Sequence, residues 1–521
     1  MAAIITDQLR ILNAKNFVSV ASSSENSYYS FIGLSNATDY SSNWEQLPPS
    51  PKDSFEQENY YWDTMIALKK IKENDINQVI TKITWSSGIT YDMYRHDISR
   101  TNTAKSSGAT SLYRSNYYVV NSDLRVYICL QNGTDPENPS GRPSLDEPTF
   151  VDLEPRAAGD SGDGYIWKYL YSIKPTDFIK FDTVNFMPVP KNWDTSTEFK
   201  SIRDNAPSSQ LKIITITNRG SDLGPANRVY TNVPIKGDGT GATASISIDN
   251  DSKVESIVVS SGGSGYTFGT VDLEAGNVPT GTVTPTFDVI IPPKGGHGAD
   301  IYRELGAYNV LLFSRIENDT ENPDFITENK VARIGIVENP QAYNSTSVLD
   351  LDKVSAVYAL KLTGVGYSDA TFIPNSQITQ TVSLGTTAVG RVISYEKKTG
   401  VLKYWQDKSF AGFNTDGSQN PSTQYGINLN RFTSSPGSGG SLDIVGGSVT
   451  LGIDTSFGST NNPGISTVIN NRKYNLGQSF INGIANPEVK KYSGNIIYID
   501  NRPSITRSPN QKEDIKVVLQ F

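Results

Sequence analysis

Short runs of β-favouring residues recur from about residue 80 to the end of the chain, and they constrain the fold more than any other feature. Val, Ile, Tyr and Thr dominate these runs, and Gly, Asn, Asp and Ser separate them. Examples are INQVITKITW, NYYVVN, LRVYICL, YIWKYLYSI, LKIITIT, ESIVVSS, VARIGIV, AVGRVISY, NIIYID and IKVVLQF. Residues of the first kind fit pleated strands, and those of the second kind fit turns. The pattern predicts a mainly β fold with a β-sandwich core.

The first 80 residues carry the best helical patterns, so a few N-terminal helices are expected beside the strands. Ile5, Leu9 and Leu12 are spaced at i, i+4 and i+7, which places them on one face of a helix. A second helix is predicted to end near Lys72. Its expected apolar face comprises Tyr61, Met65 and Leu68.

Two segments rich in glycine and small polar residues separate groups of strand-like runs, and they predict a core that is interrupted by two inserted β modules. Residues 1–210 are expected to hold the N-terminal helices and the first core strands. A Gly-rich β module follows at 211–290, where glycines supply turns that need positive φ. The core is expected to resume at 291–345, to be interrupted again by a β and loop region at 346–480, and to finish with the strands of 481–521.

Charge and the shortage of Cys and His exclude several classes of protein. Acidic residues number 54 against 46 basic ones, and no long run of Lys and Arg is present. Nucleic-acid binding is therefore not expected. Cys129 is the single cysteine, which excludes an intrachain disulfide and a zinc–thiolate cluster, and His96 and His297 are the two histidines. We expect no metal, no other cofactor and no small-molecule substrate.

Targeting segments are not expected either. No apolar run approaches the roughly 18 residues that a membrane-spanning helix needs. At the N-terminus, Asp7 and Arg10 interrupt the chain before an apolar stretch of signal-peptide length can form. The sequence therefore predicts no membrane partner, and a protein that is made in a cytoplasm.

One motif suggests catalysis, but its context argues against it. GDSG at 159–162 frames the nucleophile of chymotrypsin-like proteases, and His96, Asp123 and Ser161 follow one another in the order of that triad. The chain continues with Asp163 and Gly164, unlike those proteases. A polar turn before a strand is the favoured interpretation, and no catalytic residue is assigned. We expect the protein not to be an enzyme.

Alternating aromatic residues mark the strand YIWKYLYSI. Tyr165, Trp167, Tyr169 and Tyr171 would share one face of that strand. A face of four aromatic rings needs a packed partner, either a second sheet or another subunit. These four residues, together with Trp44, are the candidate interface residues.

The C-terminal segment is predicted to contribute two strands to the core. NIIYIDNRPSI and IKVVLQF would be the strands, with the first ended by proline at Asn501-Arg502-Pro503. Core-facing side chains are expected at Ile497, Ile499, Val517 and Leu519.

Five stretches in order resemble one family, the dimeric baseplate wedge subunits of contractile-tailed bacteriophages of the T-even type. They are SSNWEQLPPSPKDSF (41–55), YYWDTMIALKKI (60–71), GDGYIWKYLYSI with FMPVP (162–173 and 186–190), NKVARIGIVENP (329–340) and SGNIIYIDNRPSI (493–505). The chain is longer than the short members of that family, and the excess falls in the two expected insertions.

The resemblance implies a structural role in a virion. Such proteins form a homodimer within each of six wedges of the tail baseplate, bind the other wedge proteins, and support rearrangement when the tail contracts. They are assembled in the host cytoplasm. The Tyr and Trp content and the Gly-rich modules leave a tail-fibre-like carbohydrate-binding adhesin as the alternative.

Overall fold

The computed structural model describes residues 6–23, 26–35, 44–206, 210–317, 330–406, 430–459, 461, 464–508 and 511–521. It is 41% strand and 10% helix, so the prediction of a mainly β fold with few helices is confirmed. The helices are α1 (Asp7–Ala21), α2 (Phe55–Asp63), α3 (Pro175–Phe181), α4 (Lys200–Asp204) and α5 (Ile301–Glu304).

The strands are short and numerous, as the residue pattern predicts. In the first half of the chain they are β1 (Tyr28–Gly33), β2 (Met65–Ile71), β3 (Ile76–Thr81), β4 (Tyr118–Val120), β5 (Arg125–Asn132), β6 (Tyr165–Ser172), β7 (Phe186–Pro188), β8 (Ile213–Asn218), β9 (Val229–Gly237), β10 (Thr240–Ile248), β11 (Val254–Ser264), β12 (Gly269–Val271) and β13 (Thr286–Ile290). In the second half they are β14 (Asn309–Glu317), β15 (Lys330–Glu338), β16 (Lys353–Ser355), β17 (Tyr358–Thr363), β18 (Gln377–Ser383), β19 (Thr386–Glu396), β20 (Val401–Trp405), β21 (Asp443–Gly446), β22 (Val449–Ile453), β23 (Gly464–Ile469), β24 (Arg472–Phe480), β25 (Ile484–Ala485), β26 (Asn495–Thr506) and β27 (Lys512–Gln520).

The chain divides into two compact units, and this division differs from the expected one. Unit 1 comprises 1–18, 77–311 and 518–521, and unit 2 comprises 19–76 and 312–517. Residues 19–76 belong with the second half of the chain because their strands pair there: β1 lies between β2 and β15 in an antiparallel sheet of order β16-β2-β1-β15-β26.

Close packing fixes the centre of that five-stranded sheet. Phe31 of β1 lies opposite Gly335 of β15. A Cβ atom at position 335 would lie 2.3 Å from the Phe31 ring and 2.7 Å from the carbonyl oxygen of Tyr498. Only glycine fits there without a shift of the neighbouring strand.

Two helix predictions are corrected by the structure. α2 ends at Asp63, and Met65 and Leu68 lie on β2, where they are buried beside β1. In α1 the exposed side chains include Leu9 and Leu12, whereas Ile11 and Ala14 are buried; Ile5 lies outside the described residues. The i, i+4, i+7 spacing was present, but the buried face of α1 is a different one.

The predicted end of the first of the two C-terminal strands, at Asn501-Arg502-Pro503, is also wrong. β26 runs through Pro503 to Thr506 on the edge of its sheet, where a proline costs no ladder hydrogen bond. Its register with β15 shifts between Val331 and Arg333, which lie opposite Ile505 and Asn501, so Pro503 sits in a bulge. A second shift leaves Ile497 outside the ladder and 40% exposed, so it does not face the core as expected.

Part of the second expected insertion forms a closed barrel in unit 2. Strands β17 to β22 pair in the order β17-β20-β19-β18-β21-β22, and β22 pairs back with β17. Closure removes the exposed strand edges that an open sheet would present. Leu360, Leu362 and Leu402 are among the side chains that fill its core.

The 211–290 segment builds its own sheets within unit 1. β8 pairs with β13, which brings the two ends of the segment together, and β11-β10-β9-β12 form a second sheet. Two clusters of apolar side chains lie within this segment and its edge residue Ile291. Unit 1 also contains the sheet β4-β5-β6, and a further sheet has the order β27-β14-β3-β7.

Candidate functional site

The aromatic strand β6 lies inside unit 1. Tyr165, Trp167 and Tyr171 are at most 1% exposed, and Tyr169 is partly buried. These rings pack on the chain's own core, with Tyr165 stacked on Trp167 at 5.4 Å and Tyr91 edge-on to Trp167 at 5.9 Å. Three of the four aromatic residues therefore pack on the chain's own core, and their role as interface residues stays a prediction.

A bulge explains why β6 buries both of its faces. Val126 of β5 lies opposite Tyr171, and Tyr127 lies opposite Tyr169, so Leu170 is an extra residue in the ladder. Leu170 lies at this bulge and is buried, and Lys168, two residues earlier, is also buried, although strict alternation places both opposite the aromatic face. Sequence alternation alone could not reveal this change of register.

Trp44, the remaining interface candidate, belongs to a buried cluster in unit 2. Trp44 is 5% exposed, and its indole N–H donates to the carbonyl oxygen of Arg502 at 2.9 Å. The Arg333 guanidinium lies 5.5 Å from its ring and 4.7 Å from that of Tyr61. Trp44 is thus held by its own chain and offers little surface to a partner.

Arg333 is the centre of this cluster. It is 1% exposed on β15; its Nε donates to Asn501 Oδ1 at 2.8 Å, and its Nη1 donates to Thr64 Oγ1 at 2.6 Å. Burial lowers the pKa of Arg333 to about 10, which still leaves it charged at neutral pH. We call Trp44, Tyr61, Thr64, Arg333 and Asn501 the Arg333 cluster.

The proline-rich segment that contains Glu45 and Pro49 is hydrogen-bonded to β26 beside the Arg333 cluster. Asn501 Nδ2 donates to the carbonyl oxygen of Pro49 at 2.9 Å. Glu45 accepts from Lys330 Nζ at 2.9 Å and from the Ser504 hydroxyl, and these contacts lower the pKa of its carboxyl group. Four of the stretches that resemble the wedge family therefore contact one another here. Residues 41–43 of the first stretch and Asn329 of the fourth lie outside the described part of the chain.

The GDSG motif forms an exposed turn, as its context predicted. The backbone N–H of Ser161 donates to Asp146 Oδ2 at 2.9 Å. His96 Nδ1 instead accepts from the N–H of Ile291 at 3.2 Å, and the Asp123 carboxylate pairs with Arg125 at 3.3 Å. The three triad-like residues thus make their contacts with other partners.

Two further features have a chemical character that sequence reasoning did not anticipate. His297 Nδ1 lies 2.6 Å from Glu304 Oε1, and both residues are buried in unit 1. On the surface, an open cavity of about 630 Å³ lies beside β7 and is crossed by the 2.7 Å ion pair of Lys174 and Glu198. Neither brings a nucleophile and a base together in a catalytic arrangement.

Lys168 is a further buried polar residue that was not identified from the sequence. It is 3% exposed on β6, and its Nζ contacts Asn205 and the carbonyl oxygen of Leu153. A lysine between apolar residues of a strand is an available sequence signal, but its partner 37 residues away is not.

Two kinds of site are absent from the described ranges, a metal-binding cluster and a membrane-spanning helix. Within them, no group of three or more His, Cys, Asp or Glu side chains converges in a way that would hold a metal ion. No helix in the described part of the chain has the length and apolar character needed to cross a bilayer.

No family model matches the chain. A search of curated proteins likewise finds no match.

Proposed function

We propose that this protein is a structural subunit of a phage tail baseplate wedge, where it forms a homodimer and binds the other wedge proteins. The proposal rests on the five stretches that resemble the dimeric wedge subunits. It assigns the protein to the virion and gives it a role in holding the baseplate together and in its rearrangement on contraction.

The observation that supports the proposal most is the convergence of four of these stretches at the Arg333 cluster. Trp44, Tyr61, Arg333 and Asn501 come from four separate stretches of sequence, yet they form one hydrogen-bonded and ring-packed group. Stretches that meet in space encode one structural element. The stretches that carry the resemblance therefore belong to one local arrangement of this chain and are not scattered short motifs.

The character of these four stretches fits a structural role better than catalysis. A charged side chain that is nearly fully buried, with two side-chain hydrogen bonds and two aromatic rings, holds its surroundings in one arrangement. The aromatic core around Trp167 has the same effect in unit 1. A subunit that transmits force in an assembly needs such rigid elements.

Affinity purification from infected cells tests the proposal. A tagged copy of the full chain, supplied during growth of the phage that encodes it, should capture other wedge proteins in fixed ratios. A tagged chain expressed without the phage serves as the control for host proteins. Recovery of the chain alone from phage-producing cells, with none in purified virions, would overturn the proposal.

The adhesin alternative predicts a different outcome in the same material. An adhesin would bind a defined glycan as an isolated protein and would be stripped from virions without disrupting the baseplate. Glycan-array binding by the purified chain, together with absence of wedge partners in the capture, would favour that alternative.

A further inference from the structure

A lysine, an asparagine and a glutamate meet at the edge of the core of unit 1. Lys168 Nζ lies 2.9 Å from Asn205 Oδ1. Asn205 Nδ2 in turn donates to Glu154 Oε1 at 2.8 Å. Lys168 lies on β6, Asn205 directly follows α4, and Glu154 precedes β6. Three separate parts of the chain thus place an amine, a carboxamide and a carboxylate in one contiguous set.

The surroundings favour a nucleophilic amine. Lys168 is 3% exposed, and burial is the main cause that lowers the pKa of its ammonium group. Its second contact is the carbonyl oxygen of Leu153 at 2.6 Å, which orients the nitrogen but supplies no negative charge. A desolvated lysine of this kind is the form in which lysine acts as a nucleophile.

Glu154 is placed to move the proton. It contacts the Asn205 nitrogen that would depart, and its hydrogen bond to Asn205 is the main cause of the lowered pKa of its carboxyl group. Glu154 is therefore ionised at neutral pH and able to accept a proton. Lys212 Nζ lies 3.7 Å from its other oxygen, so a second cation is near the carboxylate.

We propose that Lys168 and Asn205 join in an intramolecular isopeptide bond. Lys168 Nζ attacks Asn205 Cγ, and a bond between these atoms forms. Glu154 takes one proton from the attacking nitrogen and delivers it to Nδ2, the Cγ–Nδ2 bond breaks, and ammonia leaves. The atoms balance without an oxidant, a metal or a co-reactant, because an amine and a primary amide give a secondary amide and ammonia.

The contact between Lys168 and Asn205 favours this reaction, and the resulting bond would cross-link two parts of unit 1. Lys168 Nζ lies 2.9 Å from the carboxamide oxygen bonded to the carbon it would attack, and the Glu154 side chain, at 68% accessible, closes the set on the solvent side. A cavity of about 10 Å³ adjoins the three side chains, close to the size of a single small molecule such as ammonia. The bond would tie β6 to the connection that leads into β8 and would close a loop of chain between positions 168 and 205.

Intact-mass spectrometry of the purified full chain tests the proposal without any variant. The expected mass is that of the sequence less one ammonia, and a protease digest should contain one branched peptide that joins the segments around Lys168 and Asn205. A mass equal to that of the unmodified sequence, with separate Lys168 and Asn205 peptides, would overturn the proposal. The result does not depend on the proposed role in a virion.

Variants then separate the roles of the three residues. Lys168→Met and Asn205→Ala should each abolish the ammonia loss, and Glu154→Gln should slow it strongly. Lys212→Met is the matched control, because it removes the neighbouring cation and retains the reacting pair. Formation of the branched peptide in Glu154→Gln at the rate of the unaltered chain would overturn the assignment of Glu154 as proton carrier.

Discussion

Arg333 Nε donates to Asn501 Oδ1 at 2.8 Å, which joins residues that lie 168 positions apart in the sequence. Arg333 lies on β15 and Asn501 on β26, at the point where the register of the two strands shifts. The bulge that accommodates Pro503 thus begins beside the buried guanidinium. The bulge in the edge strand β26 and the buried charge of Arg333 are therefore joined by a direct hydrogen bond.

Arg333→Ala should lower the free energy of unfolding of unit 2 by about 3 kcal/mol. The substitution leaves the buried Thr64 and the partly buried Asn501 without their donor and removes packing between two aromatic rings. Urea unfolding followed by tryptophan fluorescence measures the change. Arg502→Ala is the control, since Arg502 is largely exposed and pairs with Asp500; its effect should stay within about 0.5 kcal/mol. Equal effects of the two substitutions would contradict the assigned role.

Trp167→Ala should destabilise unit 1 by about 4 kcal/mol, because it opens a large cavity in a packed core. Trp167→Phe should cost much less: the Trp167 indole nitrogen has no hydrogen-bond partner among the described residues, and a ring still fills most of the space. Neither change should alter the oligomeric state measured by light scattering at concentrations where the chain is folded. A weakened dimer with unchanged unfolding in Trp167→Ala would restore Trp167 as an interface residue.

Local composition allowed prediction of the strand content, but it did not specify which side chains are buried. The alternation in β6 correctly marked a strand with packed aromatic residues, yet it could not show that Tyr165 and Trp167 pack on their own chain. Helical spacing at Met65 and Leu68 was real, but pairing with β1 made that segment a strand. Tertiary pairing decided both cases.

The contacts within the Arg333 cluster, and the contact of Lys168 with Asn205, could not be predicted from the sequence for a related reason. A buried charge is stable only with suitable partners, and those partners lie far away in the sequence. Arg333 depends on Thr64 and Asn501, and Lys168 depends on Asn205. A single sequence carries no signal that connects such positions.

Cys129 should be inert in the folded protein. Its side chain is fully buried on β5, opposite Trp167, and burial raises the pKa of its thiol well above the ordinary value. An aromatic disulfide reagent should label it at least about a thousandfold more slowly in buffer than in denaturant. Ser161→Cys, in the exposed turn, is the positive control and should react at once. Rapid labelling of Cys129 under native conditions would contradict its placement.

Lys491 should make stability depend on alkaline pH. Burial lowers the pKa of Lys491 to about 8; its Nζ donates to the carbonyl oxygens of Trp62 and Asp63 at 3.0 Å. The unfolded chain, with a lysine pKa near 10.4, binds more protons between about pH 8 and 10 than the folded chain does. The free energy of unfolding therefore rises as the pH rises through that window, because buried Lys491 loses its charge, and it falls again as the pH falls.

Comparison with Lys491→Met isolates this effect from those of other titrating groups. The free energy of unfolding of the unaltered chain should rise relative to that of Lys491→Met by about 1 kcal/mol per pH unit between pH 8 and 10. Denaturant titrations at fixed ionic strength provide the measurement. Parallel pH profiles for the two proteins would show that Lys491 keeps an ordinary pKa.

Electron cryomicroscopy of tails from the phage that is proposed to encode this chain tests the proposed function most directly. We expect the two units to fit the density of each baseplate wedge, with two copies of the chain per wedge in mutual contact and other wedge proteins against them. A baseplate fully accounted for by other chains, or the presence of this chain only in fibres distal to the baseplate, would contradict the proposal.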